Sequence, residues 1–81
     1  MTVEQFRSLN EVEQIEILVE NGVAIAKNQQ QEYQTFLYYI QSFFVVVIFY
    51  TETDELMRII PLKQRDQQKD FAERFPFYHS N

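Results

Sequence analysis

The spacing of apolar positions changes at residue 22, dividing the chain into a helical first third and a strand-rich remainder. Val12, Ile15, Leu18 and Val19 recur at three- and four-residue intervals while Glu13, Glu16 and Glu20 fall on the other side. That is the period of an amphipathic helix over about residues 10–21, with the valine stripe toward the core. Asn10 followed by Glu13 has the form of a capping box, and Ser8 with Glu11 offers a second register. Thr2 to Gln5 reads as the start of a separate short turn that directs Phe6 and Leu9 at the core. Asn21-Gly22 marks the stop. Gly22 is the only glycine, and the left-handed position past a helix end suits glycine best, so a positive φ is expected there.

Beyond Gly22 the pattern becomes strand-like. Val23 to Asn28 alternates as a short strand, followed by polar residues up to Gln31. Tyr33–Ile40 and Phe43–Tyr50 are rich in aromatic and β-branched residues, and only Gln41-Ser42 separates them, the length of a two-residue hairpin loop. The expected register pairs Ile40 with Phe43 and Leu37 with Val46. Thr51 to Asp54 is a polar turn, and Leu56–Leu62 a fourth strand whose Pro61 places it at a sheet edge or its end. Residues 65–75 predict a closing helix with Phe71, Ala72 and Phe75 on one side, stopped by Pro76. The fold class expected is α+β: an N-terminal helix, a four-stranded antiparallel β-meander and a short C-terminal helix, in one domain over residues 1–81.

The stretch Leu37-Tyr-Tyr-Ile-Gln-Ser-Phe43 through Phe49-Tyr50 resembles small bacterial α+β proteins in which an N-terminal helix precedes a hairpin of the form Leu-Tyr-x-hydrophobic-x-x-Phe-x-Val-x-Val-x-Tyr. The resemblance covers most of residues 6–62. Gln41-Ser42 departs from it, standing where Asp-Gly is more usual at the hairpin tip. It implies the fold alone and brings no function with it.

The apolar run 36–50 raises the question of a membrane span. At 15 residues, interrupted by Gln41-Ser42 and flanked by Glu32 and Glu52, it falls short of the ~20 residues a spanning helix needs. Val45-Val-Val-Ile48 moreover prefers a pleated surface. No membrane association is expected.

Composition narrows the function classes. The chain is 81 residues long, 46% apolar and 16% aromatic, which argues against disorder. A net charge of −5 argues against a nucleic-acid partner: Lys63, Arg65, Lys69 and Arg74 are interleaved with Asp66, Asp70 and Glu73, as on a solvated helix face. The absence of cysteine removes disulfides, thiolate metal sites and cysteine nucleophiles. With no basic and apolar signal segment in its first residues, the chain is expected in the cytoplasm.

No residue constellation points to catalysis. His79, the only histidine, lies in the tail without a metal-binding or catalytic partner nearby in sequence. Glu52, Asp54 and Glu55 cluster at a turn but lack the glycine and the ligand number of a calcium loop. One glycine cannot build a phosphate-cradling loop. Neither an enzyme, a metal site nor a cofactor is expected.

The informative feature is Phe43-Phe-Val-Val-Val-Ile-Phe-Tyr50, apolar on both faces of one strand. One face can take the N-terminal helix. The other needs either the helix at 65–75 or a second copy of the sheet, and an apolar face of this size favours the second copy. Phe43, Val45, Val47 and Phe49, with Tyr38, are the candidate interface residues. The expectation is a non-enzymatic protein-interaction module acting as a homodimer, its acidic surface suited to a basic protein partner. The alternative is a small apolar-ligand binder with a Phe- and Tyr-lined pocket between sheet and helix.

Overall fold

The structure, a computed structural model, describes residues 1–62; the helix expected over 65–75 lies outside the described residues. Two helices, α1 (Val3–Arg7) and α2 (Glu11–Asn21), precede four strands, β1 (Val23–Gln29), β2 (Tyr33–Ile40), β3 (Phe43–Tyr50) and β4 (Leu56–Leu62). The strands form one antiparallel sheet in the order β1-β2-β3-β4. An α+β fold with an N-terminal helical segment and a four-stranded antiparallel meander is therefore what these residues adopt. No helix among the described residues is long and apolar enough to cross a membrane, and the apolar run 36–50 is the β2–β3 hairpin.

Both helices are fixed by reciprocal caps. Thr2 accepts from the Gln5 backbone N–H while Gln5 Oε1 accepts from the Thr2 N–H. Asn10 and Glu13 repeat the arrangement at α2, satisfying amide groups that have no partner within the helix. Ser8 does not cap α2 with Glu11; it is the C-cap of α1, and its hydroxyl donates to the Gln5 carbonyl at 2.7 Å.

Gly22 departs from expectation. Its φ of −79° and ψ of 148° are ordinary extended backbone, because the chain passes straight from α2 into β1 with no left-handed residue between. Glycine stands there for space. Its N–H donates to the Leu18 carbonyl at 2.9 Å, and a Cβ at this position would meet that same oxygen at 2.6 Å. Positive φ occurs instead at Gln41 and Asp54.

The hairpin pairs Ile40 with Phe43 and Leu37 with Val46. Of its two turn residues only Gln41 has positive φ, the sign pattern of a type II′ turn. At the opposite end of the sheet, Thr51 joins the two other turns: its N–H donates to the Glu32 carbonyl and its hydroxyl to the Gln30 carbonyl.

The sheet carries a cluster on each face. Phe43, Val45, Val47 and Ile40 meet Val3, Phe6 and Leu18 from the helices. Phe6 anchors α1, fully buried and edge-on to Phe43 at 5.7 Å between ring centres. Val46, Ile48 and Leu62 form the second cluster with Leu37, Phe44 and Ile60 around them, and no helix residue among the described ones belongs to it. Val46 is nonetheless fully buried within a single chain.

Candidate functional site

The residues expected at an interface lie together on one sheet face, and it is the face the helices cover. Phe43, Val45 and Val47 are buried beneath Phe6 and Leu18, while Tyr38 and Phe49 are half-buried against the same cluster. Alternation along β3 brings these side chains to one side but cannot choose between two equally apolar sides. With Val46 and Ile48 also buried in one chain, sheet-to-sheet packing has no bare apolar surface at the centre of β3.

The exposed apolar surface is elsewhere. On α2 the buried residues are Gln14 and Leu18, so the stripe expected to face the core is split: Leu18 turns inward, while Val12 is 67% and Val19 78% exposed. Gln14 accounts for this setting. Its side-chain amide donates to the Phe6 carbonyl at 2.9 Å, capping the short α1 and fixing which side of α2 meets the sheet. Val12 and Val19, seven residues apart, lie within about 20° of each other around the helix, with half-buried Ile15 between them. Glu11, Glu13, Glu16 and Glu20 are all exposed around this ridge, and α2 contains no lysine or arginine.

The apolar exposure continues directly into β1, an edge strand of the sheet. Val23 is 61% and Ile25 45% exposed. A bulge between Ala24 and Ala26 shifts the pairing with β2 and places Ile25 outside the ladder. The only charged residue of β1 is Lys27, whose ammonium lies 5.8 Å from the centre of the Phe36 ring. The other edge, β4, is guarded differently: Pro61 removes a backbone donor and Arg58 is exposed.

A third feature is a cleft of about 760 Å³ where the β1–β2 and β3–β4 turns meet, lined by Glu32, Tyr33, Tyr50, Glu52 and Glu55 among others. It is open and acidic, and it does not lie between sheet and helix, where the expected ligand pocket would be. Among the described residues no group of three metal-ligating side chains converges. Asp54 is instead held in the turn, its N–H donating to the Tyr50 carbonyl and its carboxylate accepting from Gln34.

The sequence signal for the outward ridge was present in the valine stripe itself; what it lacked was the identity of the side that docks. Comparison with known proteins returns no matching family model, no matching curated protein and no matching solved structure.

Proposed function

We propose that this protein is a non-enzymatic protein-interaction module that acts as a homodimer, its copies joined along β1. The observation that carries the reading is the apolar exposure of the β1 edge: seven residues without proline, two of them large, apolar and exposed, with only Lys27 and the bulge at Ile25 set against further pairing. Native sheets protect their edges because a row of unpaired N–H and C=O groups templates further pairing. A long edge strand that exposes Val23 and Ile25 gains by covering them with a partner strand. Two copies of β1 related by a twofold axis pair antiparallel and make an isologous contact. Only one charge per copy, Lys27, enters such a contact. The absence of cysteine fits a reducing compartment, and the cytoplasm is the proposed location.

Amide hydrogen exchange tests the edge directly. The β1 amides that do not bond to β2 should be protected at high protein concentration and lose that protection on dilution. Rapid exchange of these amides at every concentration would rule out the strand contact.

A further inference from the structure

The ridge on α2 has the spacing of a coiled-coil seam. Val12, Ile15 and Val19, separated by three and then four residues, occupy successive a, d and a positions. Glu11 and Glu16 then fall at the flanking g and e positions, which set partner choice through charge. The ridge is exposed, the flanks are acidic, and the helix has no cation of its own.

A second copy of α2 fits this seam poorly in either direction. A parallel pair sets Glu11 opposite Glu16 of the other copy, and an antiparallel pair sets like residues together, so carboxylates face carboxylates both ways. The remaining described cations are not on this surface: Arg7 donates to the Pro61 carbonyl, Lys27 lies over Phe36 and Arg58 is on β4. Residues 1–62 hold three Lys or Arg against nine Asp or Glu, so the field around the ridge is negative as well.

From this complementarity we infer that α2 docks a basic amphipathic helix of another protein. The partner carries an apolar stripe at three- and four-residue spacing, flanked by lysine or arginine. Eleven residues of α2 span about 16 Å, so the contact covers about three turns of the partner. The apolar seam supplies affinity, and the glutamates supply orientation, rate and discrimination against acidic helices. This surface adjoins the β1 edge, but its recognition of a basic helix is tested independently of the dimer.

The test uses the full-length protein and three labelled synthetic helices. One has a leucine seam with lysine flanks, one the same seam with glutamate flanks, and one the lysine composition scrambled to destroy the seam. Fluorescence anisotropy should show the first binding at least about tenfold more tightly than either control, a difference that salt reduces. The double variant Val12→Ser/Val19→Ser changes only exposed side chains and should weaken that binding about tenfold or more with an unchanged circular dichroism spectrum. Glu11→Gln/Glu16→Gln should flatten the salt dependence. Equal binding of the scrambled basic peptide, equal binding of the acidic peptide, or full binding by the folded valine variant would each overturn the assignment. A monomeric mass would instead refute the β1 dimer and leave these outcomes as they stand.

Discussion

Gly22 offers a substitution for which two explanations of the same residue predict different outcomes. Its backbone lies in a region any residue can adopt, so adding a side chain costs nothing in φ and ψ. The cost comes from the Cβ, which would sit 2.6 Å from the Leu18 carbonyl oxygen and 3.2 and 3.3 Å from the Leu18 Cα and C atoms. All three are backbone atoms of the last helical turn and cannot rotate away. Relief requires the chain to swing outward, which lengthens or breaks the 2.9 Å bond from the Gly22 N–H to that oxygen. Losing such a bond costs about 0.5–1.5 kcal/mol, and displacing the turn disturbs the packing of Leu18. Against this stands a gain of about 0.4–1 kcal/mol from the less flexible unfolded chain. These two nearly cancel, so the forced shift of the packed turn, typically about 1–3 kcal/mol, decides the sign. The net expected for Gly22→Ala is a loss of about 1–2 kcal/mol, or roughly 5–15 °C in Tm for a domain of this size.

Urea unfolding followed by circular dichroism measures that loss, and Gly22→Asn provides the control. Asparagine tolerates left-handed backbone well, so a positive-φ requirement would make it markedly better than alanine. A requirement for space makes the two alike, because both carry a Cβ. Equal destabilisation is expected. An asparagine variant near parental stability beside a damaged alanine variant would refute the close-approach account, as would an alanine variant as stable as the parent.

Three further substitutions follow from the sheet. Gln41 takes a left-handed conformation that glycine adopts at less cost, so Gln41→Gly should stabilise by about 0.5–1 kcal/mol even though the exposed contact between the Met1 ammonium and the Gln41 side chain is lost; a fall in Tm would contradict the turn assignment. Val46→Lys and Val47→Lys point to opposite faces, yet both positions are buried in a single chain, so each should cost more than about 3 kcal/mol. A thermal melt of either variant close to the parent's would show that its face is open.

The β2–β3 hairpin was legible because its signals agree: β-branched and aromatic runs of equal length, two residues between them, and a register set by that short loop. The caps of α2 were legible for the same reason, since Asn10 and Glu13 stand at the required spacing. Periodicity failed at the docking of α2. It identifies an apolar stripe but assumes that all of it faces inward, whereas α2 docks through Gln14, whose amide donates to the Phe6 carbonyl, and Leu18, leaving Val12 and Val19 outside. The function of Gly22 was hidden because a glycine can supply either a torsion or a void, and only the position of the Leu18 carbonyl tells them apart. A strand apolar on both sides gives no hint of which face a helix covers, so the position of Phe43, Val45 and Val47 beneath α1 and α2 was not legible. The turn cleft joins Glu32 of the β1–β2 turn to Tyr50 at the end of β3 and to Glu52 and Glu55 beyond it, and only the last two stood close enough in sequence to be read as a cluster.

The mass of the protein in solution tests the homodimer most directly. Light scattering at about 100 μM should give twice the 9.8 kDa of one chain. The double variant Val23→Lys/Ile25→Lys, which places charges on an exposed edge strand, should return the mass to that of one chain with its secondary structure intact. A parent protein at 9.8 kDa at that concentration, or a dimer untouched by charging β1, would contradict the proposal.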